Sequence, residues 1–158
     1  MKKKVDVKLL VKCIAIPLLV GAVSAFISKG GMKVFESVDK LPLSPPGWVF
    51  PVVWTILYIL MGISAYLVLT SGAKEEQIYR AMSIFGYQLA VNFLWPTFFF
   101  NFRWYLFSFL WLVLLWMLVL GMILRFWRID KRAAYMNIPY FVWLAFAGYL
   151  NLGIWWMN

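Results

Sequence analysis

Three hydrogen-bonding side chains recur at helical spacing inside one apolar segment: Gln88, Asn92 and Trp95. Positions i, i+4 and i+7 share one face of a helix, so two carboxamides and an indole N–H form a single stripe. The surrounding residues 81–100 are numerous enough to cross a bilayer, where polar groups normally face the bundle interior or a cavity. Pro96 then removes a backbone donor, which kinks or ends the helix. The stripe predicts a polar, aromatic wall inside a membrane domain.

Two other apolar segments carry aromatic and amide side chains that suit the same wall. They are Trp48, Trp54 and Tyr58 in one segment, and Tyr140, Trp143, Ala147 and Asn151 in the other. Indoles, phenols and carboxamides favour a flat, hydrophobic ligand with polar edges, and the small alanine leaves a notch for it. Two alternatives stay open. The amides commonly hold membrane helices together, and Trp48 fits an interfacial belt.

The residue types that are missing exclude much chemistry. The sequence contains no histidine, and all six acidic residues fall in terminal or connecting segments. This excludes paired-carboxylate catalysis, histidine-activated nucleophiles, the usual metal sites and intramembrane proton relays. A phosphate-binding loop of the G-x-x-x-x-G-K-[ST] type is also missing. We therefore expect no metal, no resident cofactor and no acid–base enzyme.

The composition is that of an integral membrane protein. Apolar residues make up 65% and charged residues 13% of the chain, whereas globular proteins have about 25% charged residues. We predict an all-α fold, a single domain over residues 1–158 with five transmembrane helices. The predicted spans are residues 9–28, 48–70, 81–100, 104–124 and 135–156. The long connection at residues 29–47 mixes Gly and Pro with apolar residues, and we predict that it forms a lid.

The basic residues predict the orientation. They concentrate before the first span and in the connections after the second and fourth spans. The positive-inside rule then places the N-terminus in the cytoplasm and the C-terminus outside. The net charge of +9 is explained by this clustering beside the spans, so the lipid bilayer, and not nucleic acid, is the expected partner.

Three ordered blocks of sequence resemble one known family. They read Pro46-x-Trp48-x-x-Pro51-x-x-Trp54-x-x-x-Tyr58-x-x-Met61-Gly62, then Gln88-Leu89-x-x-Asn92-x-x-Trp95-Pro96-x-x-Phe99-Phe100, then Trp143-Leu144-x-Phe146-Ala147-x-x-Leu150-Asn151. This pattern is similar to the translocator protein family, also called tryptophan-rich sensory protein or peripheral-type benzodiazepine receptor.

The resemblance implies a five-helix bundle, usually a homodimer, that binds protoporphyrin IX and isoquinoline carboxamide or benzodiazepine-type ligands. It also implies light- and oxygen-dependent porphyrin degradation in some bacterial members, with Trp54 and Trp143 as the indoles nearest the porphyrin. The pocket that it implies, beneath the lid, consists of Trp48, Trp54, Asn92, Trp95, Trp143, Ala147 and Leu150. The basic residue of the family's animal sterol motif is missing after Tyr149, so we expect no native sterol role. The strongly basic, histidine-free chain with its short Lys cluster before the first span favours a bacterial plasma membrane.

The sequence leaves two other functions open. One is a passive transporter of porphyrins or similar amphipathic molecules. The other is a regulatory scaffold that reports ligand occupancy to a partner.

Overall fold

The computed structural model describes residues 4–38 and 40–158, and within these ranges every regular element is a helix. The helices are α1 (Val7–Phe35), α2 (Val49–Leu69), α3 (Glu75–Pro96), α4 (Tyr105–Ile129), α5 (Lys131–Met136) and α6 (Ile138–Met157), with a π-helical turn at Thr97–Asn101. The predicted all-α class is confirmed.

Four helical segments of the described chain are long and apolar enough to cross a membrane. They cover Val7–Gly31, Val49–Leu69, Tyr105–Ile129 and Lys131–Met157. Helix α3 is not among them, because it opens with Glu75 and Glu76 and later carries Gln88 and Asn92. Its apolar part continues past Pro96 into the π-helical turn.

Helix α1 is longer than predicted, and the connection after it is shorter. The helix runs to Phe35, so residues 29–35, which were assigned to the connection, are helical. Gly31 does not end the helix but lies against the backbone of Phe100, where a Cβ atom would collide. The connection therefore covers residues 36–48, of which residue 39 lies outside the described part.

The predicted last span, residues 135–156, is divided in two. Helix α5 ends at Met136 and α6 begins at Ile138, with Pro139 in the first turn of α6. Proline has no backbone N–H to continue the helical ladder, which explains the break. The Asn137 side chain partly compensates, since Nδ2 donates to the Ala133 carbonyl at 3.0 Å and to Ser64 Oγ of α2 at 2.9 Å.

Small residues let α1 pack closely on its neighbours. Gly62 of α2 faces the backbone of Cys13 and Ile14, and Gly21 of α1 faces the ring of Tyr58. Such small residues permit close helix approach in membranes. A hydrogen bond from Ser24 Oγ to the Phe93 carbonyl, 2.8 Å long, connects α1 to α3. This packing fixes one side of the Tyr58 ring.

Helix α4 supplies the apolar support for α3 and α6. Its buried residues recur at helical spacing: Ser108, Leu112, Leu115, Val119, Met122 and Phe126. By contrast, α6 meets α2 and α3 mainly through large side chains instead of close backbone contact. Tyr58, Gln88, Asn92 and Tyr140 of the predicted site meet where α2, α3 and α6 face one another.

Candidate functional site

Four of the predicted polar residues form one buried hydrogen-bonded group, which we call the Asn92 network: Tyr58, Gln88, Asn92 and Tyr140. The Tyr58 hydroxyl donates to Asn92 Oδ1 at 3.0 Å, and Asn92 Nδ2 donates to the Tyr140 hydroxyl at 2.7 Å. The Tyr140 hydroxyl in turn donates to Gln88 Oε1 at 2.7 Å. The network thus joins α2, α3 and α6 through side chains alone.

Every member of the Asn92 network is buried and paired. The largest exposed fraction among the four residues is 8%, at Tyr58. Gln88 Nε2 also contacts Met61 Sδ at 3.7 Å, a weak hydrogen bond. These bonds satisfy the amides without a ligand, so this geometry supports the alternative that Gln88 and Asn92 hold helices together.

Trp54 packs on two aromatic rings of this network. Its indole stacks on Tyr58 with ring centroids 5.5 Å apart and meets Tyr140 edge-on at 6.1 Å. Both geometries are favourable for aromatic pairs. Because Trp54 itself is only partly buried, part of its surface remains available to a ligand.

Trp143 of α6 differs, because its polar atom has no partner. Its Nε1 is buried and makes no hydrogen bond within the described structure. The indole meets Phe50 of α2 edge-on at 5.9 Å and Phe146 at 5.6 Å. A buried unpaired N–H is costly, so an acceptor atom of a ligand would gain a hydrogen bond from this donor without breaking an existing one.

A second polar group, which we call the Asn151 cluster, consists of Trp95, Tyr105 and Asn151. The Trp95 indole donates to Asn151 Oδ1 at 3.1 Å, and Asn151 Nδ2 donates to the Tyr105 carbonyl at 2.8 Å. Trp95 also stacks on Phe99 of the π-helical turn at 4.9 Å. The cluster joins α3, α4 and α6, one helical turn beyond the Asn92 network along α3.

The remaining predicted residues are divided between the interior and the surface. Ala147 and Leu150 are buried on α6, between Trp143 and Asn151 in sequence. Trp48 precedes α2 with 69% of its surface exposed, a position that matches the interfacial-belt alternative. The structure therefore does not bring Trp48 into the group formed by the others.

Within the connection after α1, Leu41 lies against the C-terminal part of α6. Leu41 packs against Gly153, at which any Cβ would collide with the leucine side chain. The Ser44 amide donates to the Leu41 carbonyl at 3.1 Å, which closes a turn. The Lys40 ammonium donates to the carbonyls of Glu36 and Val38, both at 3.2 Å.

Several residues near the site were not selected from the sequence. Phe50 contacts Trp143, Met61 contacts Gln88, and Tyr105 accepts from Asn151. Phe50 lies four positions before Trp54, so helical spacing was a usable signal. Ser108, the only small hydroxyl residue in the predicted fourth span, has a buried Oγ without a partner among the described residues, and its isolation among apolar residues was the signal there.

Charged groups lie away from this site. The ion pairs of the described residues join Arg80 to Glu76 and Arg132 to Asp130. The described ranges contain no group of three or more histidine, cysteine or carboxylate residues that could hold a metal. The site thus offers stacking surfaces and hydrogen bonds.

The helical spans and their aromatic, amide-bearing interior define a multi-pass membrane protein. The chain belongs to the TspO/MBR family, to which residues 13–157 match. It is 38% identical to "Protein CrtK" of Rhodobacter capsulatus over 87% of this chain and 85% of that protein. It is 37% identical to "Tryptophan-rich protein TspO" of Chlorobaculum tepidum over 92% of this chain and 93% of that protein. The human "Translocator protein" is 31% identical over 84% of this chain and 79% of that protein.

Proposed function

We propose that the protein binds a flat tetrapyrrole such as protoporphyrin IX among α2, α3 and α6. The observation that carries the proposal is the unpaired Nε1 of Trp143 on α6, combined with the partly exposed indole of Trp54 on α2. A macrocycle can stack on aromatic faces while a polar edge accepts the free indole hydrogen. Family membership supports this ligand class.

The proposed pocket includes the aromatic walls and the small α6 surface between them. Its members are Trp54, Trp95, Trp143, Ala147, Leu150 and Asn151, with Tyr58, Gln88, Asn92 and Tyr140 behind Trp54 and with Trp48 as an outer contact. Isoquinoline carboxamides and benzodiazepine-type ligands share a flat aromatic body with a carbonyl acceptor, so they fit the same description. The connection at residues 36–48 is the proposed lid.

Light-dependent degradation is the second part of the proposal. Excited porphyrin and oxygen supply the oxidising chemistry, and the protein holds the ring beside the electron-rich indoles of Trp54 and Trp143. No acid–base group is required for this role.

The proposal also includes the arrangement in the membrane. We propose five spans, with α3 and the π-helical turn forming the third, and a cytoplasmic N-terminus. We further propose that the protein is a homodimer in a bacterial plasma membrane. Cysteine-accessibility labelling of residues 74 and 103, substituted singly, tests the orientation: residue 74 should react only from the cytoplasmic side and residue 103 only from outside.

The test of ligand binding is a titration of protoporphyrin IX into purified protein in the dark, followed by illumination. We expect saturable binding and bleaching that depends on the protein. Saturable binding without bleaching would remove the photochemical part, and the absence of saturable binding would contradict the proposed function. Release of porphyrin loaded into sealed vesicles, with and without the protein, separates binding from passive transport.

A further inference from the structure

Three exposed cations are close in sequence where α4 ends and α5 begins: Arg125, Arg128 and Lys131. Within the described part of the chain, none of them forms an ion pair. We infer that these cations bind the phosphate headgroup of an anionic phospholipid, whose acyl chains lie along the exposed face of α4. The inference goes beyond the proposed function, since it concerns the outer surface of the bundle and requires no porphyrin.

The nearest acid in the sequence does not neutralise these cations. Asp130 is the only acidic residue between positions 125 and 132, and its carboxylate accepts from the Arg132 side chain at 2.9 and 3.2 Å. It also accepts from the Arg132 backbone N–H at 2.9 Å. The end of α4 therefore keeps a positive charge that attracts an anion.

Arg128 continues an exposed apolar stripe of α4. Met117, Leu120 and Leu124 are 62%, 40% and 56% exposed, and spacings of three and four residues put them on one helical face with Arg128. Met117 and Arg128 are about 16 Å apart along the helix axis. Half of a bilayer's hydrocarbon core is roughly 15 Å thick. The stripe therefore has the length of one leaflet's acyl chains, with Arg128 at the level of the headgroup.

Trp127 holds the third cation beside the end of this stripe. The Lys131 ammonium lies 5.2 Å from the centroid of the Trp127 ring, a cation–π contact. Tyr135 of α5 meets the same indole edge-on at 5.2 Å. Trp and Tyr are typical of the membrane interface, where a ring can contact chains and headgroups together. The indole thus brings a cation of α5 to the headgroup end of α4.

A second copy of this chain suits the face less well than an anionic lipid does. A two-fold axis perpendicular to the membrane would bring the same end of α4 from both copies together, so Arg128 would meet like charges. Large side chains also line the stripe, whereas close contacts between membrane helices favour small residues. A lipid phosphate supplies the missing negative charge, and basic sites beside transmembrane helices suit such headgroups.

The test variant replaces the three cations together, as Arg125→Gln/Arg128→Gln/Lys131→Gln. Glutamine keeps much of each side chain's length and its helix propensity but removes the charge. Far-ultraviolet circular dichroism in detergent establishes that the variant keeps its helix content. If the triple variant does not fold, the single variant Arg128→Gln takes its place.

The matched control is Lys29→Gln/Lys33→Gln/Arg103→Gln. These three cations are also exposed, and Arg103 precedes α4, at the opposite end of that helix. The control therefore makes the same change in net charge and leaves the proposed lipid site intact.

The measurement is native mass spectrometry of the purified protein, titrated separately with phosphatidylglycerol and with phosphatidylcholine of the same acyl chains. We expect the wild type to bind phosphatidylglycerol more tightly. The test variant should bind phosphatidylglycerol roughly tenfold to a hundredfold more weakly, as expected for three basic residues near a headgroup, with unchanged binding of phosphatidylcholine. The control variant should keep the wild-type affinity for both lipids. Excess glycerol 3-phosphate should not displace the lipid, because it lacks the acyl chains.

Four results would overturn the inference. They are equal affinity of the wild type for the two lipids, equal loss of phosphatidylglycerol binding in the test and control variants, displacement of the lipid by glycerol 3-phosphate, and a changed dimer fraction in the test variant without changed lipid binding. Displacement would assign the cations to a small soluble anion, and the changed dimer fraction would assign the face to a second copy. Each result is independent of whether the protein binds protoporphyrin IX.

Discussion

The buried polar groups of the Asn92 network have hydrogen-bond partners, whereas the buried indole N–H of Trp143 has none among the described residues. In the Asn92 network the hydroxyls and amides pair with one another and join three helices. The Trp143 indole N–H, one helical turn past Tyr140 on α6, is equally hidden but unpaired. A paired network contributes to the stability and precision of the fold. An unpaired donor lowers stability but is available to a ligand, so the two regions should respond differently to substitution.

The largest expected effect on stability comes from Tyr140→Phe. This change leaves Asn92 Nδ2 without its acceptor and Gln88 Oε1 without its donor, and each buried unpaired group costs about 1–3 kcal/mol. Thermal unfolding in detergent should show a clear loss of stability relative to Tyr66→Phe. Tyr66 is a partly buried residue of α2 whose hydroxyl accepts a hydrogen bond from the Asp6 amide at 3.0 Å. Equal unfolding midpoints for the two variants would show that the network contributes nothing that this single bond does not.

Trp143→Phe should affect the light-driven loss of porphyrin more than it affects stability. A smaller aromatic ring remains and the unpaired buried N–H is removed, so the gain from losing that donor opposes the cost of the lost volume, and any loss of stability should be smaller than that of Tyr140→Phe. Light-driven loss of porphyrin should slow, while dark affinity should fall by no more than about tenfold, the equivalent of one hydrogen bond. The readouts are the bleaching rate and the dark dissociation constant. A stability loss as large as that of Tyr140→Phe, with unchanged bleaching, would remove the distinction between the two regions.

Gly153→Ala tests the lid independently of both polar regions. The added Cβ collides with Leu41 and should displace the connection from α6. We expect faster porphyrin release in stopped-flow displacement, because the connection would no longer pack on α6. Leu41→Ala removes the same contact by shortening the leucine side chain and should also speed porphyrin release. Unchanged release in both variants would contradict a lid role for this segment.

The smallest effect is expected at Asp130, a paired group outside the membrane. The Arg132 side chain donates hydrogen bonds to its carboxylate at 2.9 and 3.2 Å and lowers the pKa of Asp130, against a smaller opposing effect of burial. Since the pKa is lower in the folded state, this contribution is present above the unfolded pKa and is lost as pH falls through the folded pKa. In Asp130→Asn the free energy of unfolding should therefore fall slightly less than in the wild type as the pH is lowered. An identical profile for both proteins would show that the pair is too exposed to matter.

Local spacing predicted which residues share a helical face, and Gln88 and Asn92 are both buried on α3. Gln88 and Asn92 do project together into the interior, because their spacing fixes a common helical face. Which partner each amide selects depends on how three helices pack, and spacing within one helix contains no such information. The pairing of Tyr140 with both amides was therefore not predictable from the sequence, and neither was the packing of Trp54 on the two tyrosines.

The helix boundaries were wrong where tertiary contacts overrode local signals. Gly30 and Gly31 suggested an end to α1, yet the helix continues to Phe35, because Gly31 permits contact with the Phe100 backbone. Pro139 was visible within the last apolar segment, but the resulting division into α5 and α6 was not predicted. At Trp48 the sequence motif was misleading in another way: the residue matches the family pattern, yet its side chain lies mostly at the surface.

The contact between Gly31 and Phe100 has a mechanical consequence. Asn101 Nδ2 adds a hydrogen bond to the Ile27 carbonyl at 3.1 Å, so the end of α1 and the π-helical turn are joined by both shape and bonding. A displacement of one must carry the other with it.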